Sequence, residues 1–271
     1  MHYYIPENLE GKENLILEIT NEKGELVNQF STKPNPSFVA YPGGPGADPL
    51  IGTKTGINRF VWNLRYPTLP GVPTVFIEGS YDGHKALPGK YTATLKTEKT
   101  SVSIPFTILP DPRIQASAAE YEAQHVLATK VENDIRDIHL SILKMRKVKQ
   151  QVASLLDIWK NKSDMTALYK QGSTLVTAIT DWENELVQNK AQSNDDIINY
   201  VNKLSADYIF LKGEMDTNIP FVTNGQSQQF ETLHTIWMKW KTMMLGWLEK
   251  DIPAFNAACA QMKTPMVSIP E

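Results

Sequence analysis

Apolar side chains follow two rhythms along this chain, and the change falls near residue 110. In the first part, NLILEITNEKGELVNQF (14–30) holds two apolar runs joined by Asn21-Glu22-Lys23-Gly24. That pattern predicts a β-hairpin, with Gly24 supplying the positive φ such turns often need. GKYTATLKTEKTSVSIPFTIL (89–109) alternates Tyr91, Ala93 and Leu95, turns through Thr97 to Thr100, and returns with Val102, Ile104, Phe106 and Ile108. A period of two over this length predicts a second hairpin in a small antiparallel sheet. Pro105 has no N–H to give to a ladder, so its strand is expected at an edge or a bulge. In GINRFVWNLRYP (56–67), Phe60, Trp62 and Leu64 share one strand face and Arg59, Val61 and Asn63 the other. The alternation predicts a core strand with Trp62 facing inward, after which Arg65 and Tyr66 leave into a loop.

Two irregular stretches, 32–56 and 66–89, collect more than half of the prolines and glycines. Loops of this length in a compact domain are commonly functional or disordered. After ILPDPR (108–113) the apolar period becomes helical, and Pro110-Asp111-Pro112 stiffens the exit from the β part. Ser117 followed by Glu120 reads as a capping box. From there Val131, Ile135, Ile138, Ile142, Met145, Val152, Leu156 and Trp159 track one face of a helix of about 40 residues. Ser163 or Asp164 is expected to cap a second helix with the face Leu168, Leu175, Ile179, Trp182 and Leu186. Asn194 or Asp195 is expected to cap a third, with Ile197, Val201, Leu204, Tyr208, Leu211 and Met215. A fourth carries Phe230, Leu233, Trp237, Trp240, Met244 and Trp247. Steps of three and four repeated this often call for antiparallel bundle packing. A last short helix, DIPAFNAACAQM, fits Asp251 as N-cap with Pro253 in its first turn, and KTPMVSIP follows as an extended tail. The expected architecture is therefore α+β in two domains. Residues 1–110 form an antiparallel β-sandwich, 111–116 a Pro-containing linker, and 117–271 an antiparallel, roughly four-helix bundle.

Composition narrows the function classes. The chain has 271 residues, 41% hydrophobic and 21% charged, with 27 Lys plus Arg against 30 Asp plus Glu. A net charge of −3 supplies no field for a phosphate backbone, so nucleic acid is not an expected partner. No apolar run reaches the length of a membrane span. Cys259 is the single cysteine, which excludes an internal disulfide. MHYYIPENLEGK has neither the basic leader nor the apolar run of a signal peptide. No two of the five histidines, His2, His84, His125, His139 and His234, stand four apart, and neither a metal nor a cofactor is expected. KMRKVKQQ (144–151) reads as a solvated helix face. SYDGH (80–84) reads as a loop turn, since it lacks the Thr-Trp that ends an Asp-box. No Gly-x-Ser-x-Gly elbow, Walker loop or dinucleotide fingerprint occurs, so no catalytic residue is assigned.

The ordered set YYIP, LILEITNEKGELV, GINRFVWNLRYP, LPGKYTATL, ILPDPR and WLEKDIPAFNAACAQMKTPMVSIP resembles the C-terminal region of large bacterial proteins described as glycosyl hydrolases with BNR/Asp-box repeats. These are also called sortilin-like or VPS10-like propeller proteins. The similarity spans essentially the whole chain. It implies that the β part is an Ig-like sandwich similar to the FlgD Ig-like domain, followed by a helical segment. It also implies an exported setting, periplasmic or extracellular, and a sugar-related activity seated in a propeller that has no counterpart in these residues. A chain opening at Met1 just before YYIP is accordingly expected to be a piece of a longer protein or a truncated product.

Three functional expectations follow. The first is a non-catalytic accessory region that supports or docks a protein, either the propeller of the full-length protein or another chain. The second is a carbohydrate-binding module that stacks a glycan on Tyr41, Tyr66, Phe76 and Tyr81 from the proline-rich loops. The third is a glycosidase-type site with paired carboxylates in the cleft between the two domains.

Overall fold

The computed structural model of the protein describes residues 1–7, 14–217 and 219–270. It is an α+β molecule with antiparallel sheets. The strands are β1 (His2–Ile5), β2 (Ile16–Asn21), β3 (Leu26–Ser31), β4 (Gly56–Arg59), β5 (Gly89–Lys96) and β6 (Ser101–Ile108). A four-stranded sheet has the order β3-β2-β5-β6, and β1 pairs with β4 in a separate two-stranded sheet. Both expected hairpins form. In the first, Asn21 Oδ1 accepts the backbone N–H groups of Lys23 (3.0 Å) and Glu25 (2.9 Å), and Gly24 sits at φ +79°. In the second, β5 and β6 pair without a break from Gly89 opposite Ile108 to Lys96 opposite Ser101. Pro105 lies in β6, an outer strand, where a missing donor costs least.

The stretch 56–67 departs from a continuous strand. β4 ends at Arg59, and Met1 closes the pairing: its ammonium donates to the Phe60 carbonyl (2.7 Å) and its carbonyl accepts the Phe60 N–H (2.9 Å). Leu64 adopts a left-handed φ of 59° and is exposed, so the alternation that placed it inside breaks there. Trp62 is nevertheless buried, edge-on to Tyr91 and Phe106, with its indole N–H on the Arg65 carbonyl (3.0 Å). With Ile5, Leu17, Ile19, Phe30 and Phe60 it forms the core of the sheets.

The helices are α1 (Ala118–Trp159), α2 (Thr166–Leu186), α3 (Leu204–Met215), α4 (Asn224–Gly246) and α5 (Ile252–Gln261). Ser117 and Glu120 form the expected capping box, and α1 runs 42 residues. Its stripe from Val131 to Val152 is fully buried where α2, α3 and α4 pack on it. A 3-10 turn, Ser163–Met165, leads into α2, so no side-chain cap from Ser163 or Asp164 forms. The third helix starts later than expected. Ser193 caps a 3-10 turn over Asn194–Ile198, the chain turns again at Asn199 and Tyr200, and α3 begins at Leu204. Ile197 and Val201 are consequently exposed, whereas Leu204, Tyr208, Leu211 and Met215 are buried. The Asn194 side chain lies outside the described residues. Asp251 is not a cap either: a π-helical turn, Trp247–Asp251, carries α4 straight into α5. The tail folds back, with Val267 buried and bonded through its N–H and C=O to Asn256.

Basic residues of α1 are not all solvated. Arg146 and Lys149 converge on Glu183 of α2, which is 3% exposed, at 2.6 and 2.7 Å. Burial pushes the Glu183 carboxyl up, but these two cations outweigh it and hold it below the ordinary carboxylate range.

Candidate functional site

The seam between sheets and helices is built by the second irregular stretch. Leu69, Val72, Val75, Ile77 and Tyr81 belong to the same buried cluster as α1, α2, α3 and α4. A division of the chain at residue 110 thus runs through this core. Within the stretch, 64–69 and 81–86 run antiparallel: Tyr66 N–H donates to His84 O (3.0 Å), Leu69 N–H to Tyr81 O (2.7 Å) and Ala86 N–H to Leu64 O (2.7 Å). That ribbon carries Arg65, Tyr66 and His84 to the flank of α1.

His84 is buried there against Glu132 of α1. One carboxylate oxygen accepts the His84 backbone N–H (2.6 Å) and the other accepts Nδ1–H (2.9 Å). The opposite nitrogen, Nε2, stands 2.8 Å from Nδ1 of His125, about two turns before Glu132 on α1. With Glu132 fixing the proton on His84 Nδ1, His84 Nε2 accepts from His125 Nδ1–H when both rings are neutral. Burial and the neighbouring His84 ring push the His125 pKa down. Tyr66 stacks on His84 with ring centroids 4.2 Å apart, and burial raises its phenol to about 12. Arg65 donates to Gly83 O (2.9 Å) and to Asp216 at the end of α3 (2.7 Å). Lys212 of α3, 2% exposed, donates to Ser80 O (3.1 Å). The arrangement is a hydrogen-bonded chain, Glu132–His84–His125, flanked by Arg65 and Lys212.

Carboxylates at the seam are committed, Glu132 to His84, Asp216 to Arg65 and Glu25 to the Asn21 amide, so no observation favours the glycosidase-type site. A second His pair is fully internal. His139 faces Ser205 Oγ with one nitrogen and the Pro70 carbonyl with the other, and burial lowers its pKa to about 4. Hydroxyl and imidazole are both inaccessible, so this pair ties the loop to α1 and α3 and does no chemistry on a substrate. Among the described residues no group of three or more His, Cys, Asp or Glu side chains is placed to hold a metal.

The four aromatic residues expected to bind a glycan do not meet in one open face. Tyr81 is buried in the helical core. Phe76 lies over Gly43, where a Cβ would come within 2.5 Å of the ring, and Tyr41 fills the space a side chain at Gly71 would need. Burial raises the Tyr41 phenol to about 12 and that of Tyr81, with Tyr41 nearby, higher still. These three knit the two irregular stretches together, while Tyr66 sits apart on His84. The histidine chain escaped sequence reasoning because its members are 41 and 48 positions apart. The nearest signal was the i, i+7 spacing of His125 and Glu132, two turns apart on one helix face. Among the described residues no helix is long and apolar enough to cross a membrane. Comparison of the chain with family models, with curated proteins and with solved structures finds no match.

Proposed function

We propose that this chain is a non-catalytic accessory region: an Ig-like, FlgD-like sandwich joined to a roughly four-helix antiparallel bundle, which docks a neighbouring folded domain. The observation that carries this reading is an uncovered part of the sheet's core-facing side. Tyr91, Phe106 and Ile108 on that face pack against the sheet core, but farther along Val102 is 64% and Ile104 60% exposed. With Leu17, Leu95, Tyr3 and Tyr4 they border an apolar groove of about 440 Å³ between β1 and the four-stranded sheet. A contiguous apolar surface of this kind marks a protein contact. Pro105 on the outer strand blocks strand addition, which favours a folded neighbour covering the groove with side chains.

The occupant we propose is the β-propeller that accompanies such a region in the proteins it resembles, in an exported setting. The test is binding of a separately produced BNR-repeat propeller to the chain, measured by sedimentation. Val102→Asp/Ile104→Asp changes only exposed positions, and far-UV circular dichroism should find its fold intact. Loss of binding in that variant is the expected result. No binding by the parent chain, or equal binding by both, would reject the reading.

A further inference from the structure

The apolar groove on the four-stranded sheet has β1 as its other wall, with Met1, His2, Tyr3 and Tyr4 along it. No residue of β4 lines the groove, so it lies beyond the edge of β1 that β4 leaves free. The backbone register fixes what that edge presents. Met1 and Phe60 exchange both of their N–H and C=O bonds, at 2.7 and 2.9 Å. Bonded and non-bonded pairs alternate along an antiparallel ladder, so Tyr3 with Asn58 and Ile5 with Gly56 are the next bonded pairs. His2 and Tyr4 fall between them, and their backbone N–H and C=O groups point away from β4. Among the described residues nothing donates to or accepts from these four groups. Pro6 has no N–H, so the row of donors ends at Tyr4.

We propose that the neighbour docked on this groove enters it with an extended strand, which pairs with His2 and Tyr4 on the free edge of β1 and lays an apolar side chain against Leu95, Val102 and Ile104 at every second position. The strand becomes the third of the small sheet and closes the sandwich over β5 and β6. Its main chain supplies hydrogen bonds and its alternate side chains fill the groove. A partner that covered the groove with side chains alone would bury the four backbone groups unpaired, and that cost selects a strand. Pro105 obstructs the edge of β6, whereas the edge of β1 is open from His2 to Tyr4. This inference rests on the docking reading and says how the partner is held.

The probe is an acetylated and amidated peptide of alternating Thr and Val with a Lys at each end, titrated into the whole chain and followed by amide NMR. Tyr4→Pro and Tyr4→Val both lose the phenol, and only proline loses the Tyr4 N–H, which the ladder to β4 does not use. The expected result is saturable binding to the parent, and binding to Tyr4→Pro about tenfold weaker than to Tyr4→Val. No binding to the parent, or equal binding to the two variants, overturns the strand; propeller binding in sedimentation then leaves the docking reading standing. Peptide binding without propeller binding keeps the strand site and rejects the propeller as its partner. Should Tyr4→Pro not fold, hydrogen exchange in the parent decides: slower exchange of the Tyr4 amide with peptide supports the strand, and unchanged exchange overturns it.

Discussion

Single residues at the seam are tuned by burial more than by neighbouring charge, and His139 is the clearest case. Its ring is fully enclosed, spends both nitrogens on Pro70 and Ser205, and has its pKa lowered from 6.5 to about 4. Between those values the unfolded chain takes up a proton that the folded chain refuses, so stability rises with pH across that window. The contribution is complete above about pH 6.5 and is lost toward pH 4, for a total of about 3 kcal/mol. Urea unfolding of the parent and of His139→Gln at several pH values checks this. The difference between the two proteins should shrink as the pH falls from 7 to 4, and a difference independent of pH would remove His139 from the account. Periodicity placed Trp62 in the core, and it is there, because a strand-like alternation survives even where pairing stops. It misplaced Leu64, since a left-handed backbone at one residue leaves no trace in hydrophobicity. The histidine chain was illegible for a related reason: its geometry is tertiary, and only folding brings residue 84 to residue 125.

At the scale of elements, the sequence was most informative where one period ran long. The 42-residue α1 with its capping box, and both hairpins with their turns, were legible because local signals and burial agree. Where short polar segments intervene, as from 187 to 203, apolar residues such as Val201 mimic a helical step without a partner to bury them. Helical glycines make the contribution of packing testable. Gly172 in α2 lies against α1 and α5: a Cβ there would stand 2.9 Å from Leu156, 3.2 Å from Val152 and 3.3 Å from Phe255. Gly213 in α3 has nothing within 4 Å of that position. Alanine gains about 1 kcal/mol of helix propensity at either site, but at Gly172 overpacking costs about 1–3 kcal/mol. Gly213→Ala should therefore stabilise the protein and Gly172→Ala should destabilise it, as read from denaturation midpoints. The same sign for both would mean that propensity alone decides.

Across the whole molecule, the irregular stretch from Arg65 to His84 decides whether two cores behave as one. Its Leu69, Val72, Val75, Ile77 and Tyr81 lie in the helical core, while its Tyr66 packs against the sheet core that holds the flanking Trp62 and Ala86. Polar ties repeat the connection along its length: Arg65 to Asp216, Pro70 to His139, Pro73 to Arg146, Ser80 to Lys212 and His84 to Glu132. Composition made this stretch look like a loop, because three prolines and three glycines interrupt it. Yet Leu69, Val72 and Val75 are each at most 1% exposed, and a chain that buries such residues cannot move without opening both sides. Unfolding should accordingly be a single transition. Helix ellipticity at 222 nm and hydrogen exchange of the β2 and β5 amides should report the same free energy. Leu69→Ala, which truncates a buried member of the helical core, should cost about 2–5 kcal/mol and lower both signals together. If it weakens the helices and leaves exchange in β2 and β5 unchanged, the stretch is a tether between independent units, and the coupling argued from its burial is wrong.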